Sequence, residues 1–167
     1  GENLKTICSG GAYLDPSYVE KFAEYGITIL QGYGMTECSP VICNNVEWDN
    51  RIGSVGKLLP NCEAKIVDDE IWVKGSSVMM GYYKNEEATK ATFTADGWLK
   101  TGDLGIIDKN GNIFIRGRNK NMILGPSGQN IYPEELEDKL NNLEGVIESI
   151  VVERDGKLVG LVYPDLT

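Results

Sequence analysis

The chain has 167 residues, 41% hydrophobic and 25% charged, with a formal net charge of -9. That is room for one ordinary domain, or for the end of one and the start of another, and the balance is globular rather than disordered. So acidic a surface disfavours DNA, RNA and anionic membranes, and a positive field for any phosphate ligand must come from a few placed groups.

Residues 4–8 predict a short strand running into Ser9-Gly10-Gly11-Ala12. Asp15-Pro16 reads as an N-cap followed by proline at the first helical position. A helix over 16–25 is expected, with Val19, Phe22 and Ala23 inward and Gly26 closing it. Residues 27–30 form an apolar strand that empties into Gly32-Tyr33-Gly34-Met35-Thr36-Glu37. The next stretch is β-rich, with a hairpin of 63–67 and 70–73 around Asp68-Asp69. A short helix starts at Asn85, where Glu86 and Glu87 suit its positive end. Residues 104–107 and 113–115 flank a second hairpin turn at Asn110-Gly111.

Residues 117–120 are polar and charged, and a domain boundary is placed there. Beyond it Pro133 opens a helix with Leu136, Leu140 and Leu143 on one face, ended by Gly145. Residues 147–152 and 158–163 make a last hairpin around Asp155-Gly156.

The chain contains no histidine, which removes Ser-His-Asp and Cys-His nucleophile schemes. Cys8, Cys38, Cys43 and Cys62 form no C-x-x-C pair, so they read as reduced thiols of a cytosolic protein rather than a zinc site. No apolar run approaches a membrane span, and Gly1 opens no signal-peptide pattern.

Five segments can carry chemistry. Ser9-Gly10-Gly11-Ala12 bares its backbone to a flat ring or a phosphate, but lacks the Gly-Lys-Ser/Thr of a Walker loop and reads equally as a tight turn. In Gly32 to Glu37 a ring can stack on a base, a hydroxyl can bond a phosphate, and a carboxylate can hold Mg2+. Thr101-Gly102-Asp103 places an aspartate at a strand entrance, where it can accept from a ribose diol, or it is a common polar turn. Arg116-Gly117-Arg118-Asn119-Lys120 is a local basic cluster suited to diol and phosphate oxygens, or a solvated loop. Gly125-Pro126-Ser127-Gly128-Gln129-Asn130 can line a passage for a thin ligand, or is a connector.

In this order the segments resemble the adenylate-forming (AMP-binding) superfamily of acyl-CoA synthetases, luciferases and peptide-synthetase adenylation domains. Ser9 to Ala12 is similar to that family's Ser-Gly-Gly-Ala-Pro, with Tyr13 where proline is usual. Gly32 to Glu37 is similar to its Gly-Tyr-Gly-x-Thr-Glu, and Thr101-Gly102-Asp103 and Gly117-Arg118-Asn119-Lys120 match two later signatures.

The resemblance implies a mixed, β-rich α+β fold. Residues 1–117 would be the end of the large AMP-binding domain (an α/β piece over 1–38, then a β-barrel-like subdomain over 39–117). Residues 118–167 would begin a mobile C-terminal domain. It implies adenine between Tyr33 and the Gly10-Gly11-Ala12 backbone, with Gly32, Gly34 and Met35 in the same cradle. Thr36 would bond the α-phosphate, and Glu37 would bind Mg2+. Asp103 would take the ribose hydroxyls and Arg118 would reinforce that end. Lys120 would be the hinge, and Gly128 would line the pantetheine path. The implied substrates are ATP, CoA and a fatty acid. The carboxylate attacks the α-phosphate to give acyl-adenylate and pyrophosphate, and CoA thiolate then displaces AMP.

Ser127 to Glu135, Gly32 to Pro40 and Gly81-Tyr82-Tyr83-Lys84-Asn85 look most like bacterial-type long-chain fatty acyl-CoA synthetases. The family's lysine-containing phosphate loop would precede Gly1 and its catalytic lysine would follow Thr167. The expectation is therefore a chain inactive alone, cytoplasmic or peripheral to a membrane, with uncovered apolar surface that favours self-association. Two alternatives stand beside this: another adenylating enzyme, such as an aryl-CoA or carrier-protein ligase, and a non-catalytic adenylate-binding module.

Overall fold

The computed structural model describes residues 3–125 and 129–165. By compactness the chain divides into two units, one of 1–101 with 105–115 and the other of 102–104 with 116–167.

In the first unit, strand β1 (Thr6–Ser9) leads to helix α1 (Pro16–Glu24) and then β2 (Thr28–Gly34). Asp15 caps α1 by accepting from the Ser17 N–H at 2.8 Å, and Gly26 closes it with φ of +74°. Val19 is the buried residue of α1. Phe22 and Ala23, expected inward, are exposed. α1 packs on β2 near a sheet edge formed by β1, and so short a helix finds cover there for one position.

β2 runs four residues past the expected end at 30, because β3 (Val41–Asn44) returns antiparallel to it. With β4 (Lys57–Leu58) the sheet order is β1-β2-β3-β4, and β1 and β2 are parallel.

The second sheet has the order β5-β6-β7-β8. β5 (Cys62–Val67) and β6 (Glu70–Gly75) form the expected hairpin, and Asp68 and Asp69 have φ of +49° and +64°. Helix α2 (Glu86–Thr92) follows, capped by Asn85 Oδ1, which accepts from the Ala88 N–H at 3.0 Å. β7 (Leu99–Ile107) and β8 (Ile113–Arg118) complete the sheet. Thr101-Gly102-Asp103 lies inside β7, not at its entrance. Thr101 Oγ1 donates to the Ile71 carbonyl at 2.6 Å, and Gly102 absorbs a φ of +74° without ending the strand. Ile42, Ile71, Val73, Leu99 and Ile113 join Cys38 and Cys43 in one buried cluster. Fully burying each aliphatic side chain stabilises by about 1.5–3 kcal/mol.

The second unit also holds β9 (Ile123–Leu124), β10 (Asn130–Ile131), helix α3 (Pro133–Asn141), β11 (Val146–Arg154) and β12 (Lys157–Pro164). The β11–β12 hairpin turns on Asp155-Gly156 as expected, both with positive φ. α3 ends four residues before Gly145, so Leu143 lies beyond it and is exposed. Asn142 caps the end: its N–H closes the last α-helical bond on the Asp138 carbonyl, its Nδ2 donates to the same oxygen at 2.9 Å, and the next N–H, of Leu143, turns to the Leu140 carbonyl instead. α3 is tied to β11 by the Val151 N–H to Glu137 Oε1, 2.7 Å, and by Ser149 Oγ to Asn141 Oδ1, 2.7 Å. Among the described residues no helix is long and apolar enough to cross a membrane.

Candidate active site

The parallel pairing of β1 and β2 sets Ser9 opposite Gln31, so the Gly10-Gly11 turn leaving β1 lies beside Gly32 inside β2. A Cβ at Gly10 would stand 3.2 Å from the Gly32 carbonyl oxygen. A Cβ at Gly32 would meet the Cys43 carbonyl at 3.4 Å and the Asn44 Cβ at 3.5 Å. Gly11 has φ of +84°, a conformation that disfavours any side chain. These residues, with Tyr33 and Gly34, line a cleft of about 750 Å3. Ala12 is exposed and is not among the lining residues.

The register of β2 on β3 shifts between Tyr33 and Gly34, so a bulge sits inside the Gly-Tyr-Gly string. At Gly34 a Cβ would fall on the Pro40 carbonyl. Packing therefore demands glycine there, whatever the ligand. Tyr33 and Met35 pack as half-buried side chains against the core cluster. Residues Thr36–Cys38 form one 3-10 turn, closed by Ser39 in the left-handed region with φ of 60°. Thr36 is exposed and Glu37 is half-buried.

Glu37 is held at two points. Its carbonyl accepts from the Met79 N–H at 2.7 Å, and its Oε1 accepts from the Tyr82 hydroxyl at 2.8 Å. That hydrogen bond is the main cause raising the Tyr82 pKa above the ordinary phenol value. The sequence reading used Tyr82 only as a mark of resemblance, and no local pattern announced the pair. Burial pushes the Cys38 thiol up to about 11 and the Cys43 thiol up to about 12. All four cysteines are free, and Cys8 is the exposed one.

In the second unit Arg118 Nε donates to Asp103 Oδ1 at 3.0 Å, with the aspartate side chain buried and the arginine largely exposed. Lys120 lies in the 3-10 turn Asn119–Asn121 and is exposed. Asn121 Nδ2 donates to Glu134 Oε1 at 2.8 Å, and a Cβ at Gly117 would lie 2.5 Å from Glu134 Oε2. Gly128 lies outside the described residues.

The donor set decides which groups fit. Among the described residues no three His, Cys, Asp or Glu side chains gather as a metal cage. A lone pinned carboxylate such as Glu37 suits Mg2+, which keeps waters and takes substrate phosphates beside one or two protein oxygens. The side-chain-free wall at Gly10, Gly11 and Gly32 suits a flat base.

Residues 1–83 match the AMP-binding enzyme family. The chain is 40% identical over 153 residues to the long-chain-fatty-acid–CoA ligase FadD15 of Mycobacterium bovis, covering 91% of this chain and 25% of that protein. It is 40% identical over 173 residues to 4-coumarate–CoA ligase-like 4 of Oryza sativa subsp. japonica, covering 94% and 31%. The o-succinylbenzoate CoA synthetase of Bacillus subtilis, solved with the acyl-adenylate intermediate OSB-AMP, superposes with a TM-score of 0.86 at 34% identity. That match covers 100% of this chain and 38% of the other. The same enzyme solved with ATP and a magnesium ion gives a TM-score of 0.83 at 36% identity, covering 96% and 36%. The chain thus spans a quarter to about a third of the length of these curated relatives.

Proposed function

We propose, because the chain belongs to the AMP-binding enzyme family, that it supplies nucleotide-binding residues to an ATP-dependent acid–CoA ligase. The observation that carries this reading is the side-chain-free wall at Gly10 and Gly32, beside Tyr33 in one cleft. Adenine would lie against the Gly10-Gly11-Ala12 backbone with the Tyr33 ring on its other face, and Gly32, Gly34 and Met35 would complete the cradle. Thr36, exposed on its turn, would donate to the α-phosphate. Glu37 would hold Mg2+, which when bound neutralises phosphate charge. In the second unit Asp103 would accept from the ribose hydroxyls with Arg118 beside it. Lys120 would serve as the pivot between half-reactions, and Gly128 would line the pantetheine path. The domain reading that goes with these roles ends the large domain at 117 and begins the mobile one at 118.

The acid carboxylate attacks the α-phosphorus, the bond to pyrophosphate breaks, and CoA thiolate then expels AMP from the acyl-adenylate. In-line placement and charge neutralisation lower both barriers, so no protein nucleophile is required. A long-chain fatty acid is the first reading of the substrate and a cytoplasmic protein of lipid metabolism its setting. The Mycobacterium relative supports the fatty acid, as do the Gly32 to Pro40 and Gly81 to Asn85 strings. Relatives named for coumarate and o-succinylbenzoate favour an aryl acid as the second.

Calorimetric titration with AMP and a non-hydrolysable acyl-adenylate, beside Asp103→Ala, tests the site. A loss of about tenfold or more in the variant, the scale of one charge-assisted hydrogen bond, is expected. Equal affinity in both proteins would refute the Asp103 role. Pyrophosphate release by the full-length protein with palmitate, coumarate and succinylbenzoate separates the two substrate readings.

A further inference from the structure

The Glu37 carboxylate and the Tyr82 hydroxyl come from segments 45 positions apart and meet at 2.8 Å. Neither group is buried enough to need the other: Tyr82 is 38% exposed and Glu37 is half-buried. A bond that water could replace adds little to stability, so its consequence lies in where it puts the carboxylate. A glutamate has three rotatable bonds, and ordering it costs side-chain entropy.

Tyr82 is itself fixed. Its N–H donates to Thr89 Oγ1 at 2.9 Å, and Thr89 Oγ1 donates to the Asn85 carbonyl at 2.8 Å, next to the cap of α2. Gly81 lets the chain come this close, since a Cβ there would stand 2.7 Å from Thr89 Cγ2 and its φ is +149°. The Met79 N–H on the Glu37 carbonyl holds the backbone from the same segment. Residues 79–82 therefore grip Glu37 at both main chain and side chain, with the first turn of α2 as their footing.

We infer that Tyr82 is a positioning residue for Glu37, holding its carboxylate through Oε1 in the orientation that receives a divalent cation on a nucleotide triphosphate. The inference rests on the reading of Glu37 as the metal-binding carboxylate. The phenol is a rigid donor, and it can orient the carboxylate without neutralising it, as a lysine would.

The test uses the full-length protein. Mn2+ binding in the presence of a non-hydrolysable ATP analogue, followed by electron paramagnetic resonance, is compared for wild type, Tyr82→Phe, Glu37→Gln and the double variant. Tyr82→Phe should weaken Mn2+ binding about threefold to tenfold, the range of one net hydrogen bond. Glu37→Gln should weaken it more, and the double variant should be no worse than Glu37→Gln. Unchanged binding in Tyr82→Phe, with a loss in Glu37→Gln, overturns the inference alone. Additive losses overturn it too, because the two residues would then act separately. No loss in Glu37→Gln overturns both the inference and the metal role beneath it. A metal-free signature closes the test at neutral pH: the assigned 13Cζ resonance of Tyr82 should move on Glu37→Gln, and an unmoved resonance overturns the contact itself.

Discussion

Arg118 Nε donates to Asp103 Oδ1 at 3.0 Å, so a largely exposed guanidinium at the end of β8 caps a buried carboxylate in β7. Arg118→Ala leaves that carboxylate without its cation. Exposure of the arginine keeps the cost well below that of a fully buried pair, and a loss of about 1–2 kcal/mol is expected in urea unfolding. Arg118→Lys should recover part of it. A loss within 0.3 kcal/mol, on the order of measurement error in such comparisons, would mean solvent already screens the pair.

Gly34 and Gly10 should separate folding from binding. Gly34→Ala drives a methyl onto the Pro40 carbonyl and should cost about 3 kcal/mol or more, as overpacking against backbone does. Gly10→Ala meets the Gly32 carbonyl at 3.2 Å and needs a shift of only a few tenths of an ångström. It should melt within a few degrees of wild type, and because the strain falls on the Gly32 carbonyl in the cleft, AMP affinity measured by calorimetry should fall more than stability does. Equal effects on melting would refute the distinction.

The thiols give a pH prediction. The unfolded chain releases the Cys38 and Cys43 protons near 9, whereas the folded state holds them to about 11 and about 12. The folded form therefore binds more protons above pH 9, and stability falls as pH rises from there toward 11–12. Cys43→Ala should flatten that decline in unfolding curves taken between pH 8 and 10.5. In the native state at pH 8 a disulfide-exchange reagent should consume the exposed Cys8 first, the other three thiols reacting only on denaturation.

Lys65 Nζ lies 4.4 Å from the Trp98 ring and 5.2 Å from the ring of Trp72, its cross-strand partner. Lys65→Met keeps the stem and removes the charge. It should cost about 0.5–1 kcal/mol, the worth of partly exposed cation–π contacts, and shift the tryptophan emission. An unaltered emission and stability would show that the stem alone fills the place.

Turns and caps were legible in the sequence because each is decided within a few residues. Asp15-Pro16, Asn85 with its two glutamates and Asp155-Gly156 all sit where local chemistry puts them. The glycines lining the cleft were legible as bare backbone, and in the fold it is protein that comes close to them, the Gly32 carbonyl at Gly10 and the Pro40 carbonyl at Gly34. What failed depended on partners distant in sequence. Phe22 and Ala23 have a periodicity that asks for cover, and the sheet beneath α1 offers too little. Thr101-Gly102-Asp103 reads as a turn until Ile71 claims the threonine hydroxyl. Tyr82 and Glu37 are joined by the fold alone, so no window of sequence contains their bond.

The β5–β6 turn puts two aspartates, Asp68 and Asp69, side by side in left-handed backbone. Asn-Gly is the pair that two-residue hairpins of this hand prefer, so this turn is a conformational compromise held by the strands around it. Replacing the two acids with Asn-Gly should raise the melting temperature using residues that the proposed chemistry leaves alone. The protein thus holds a margin of unclaimed thermal resistance, open to an engineer who needs a sturdier scaffold before altering the acid it accepts.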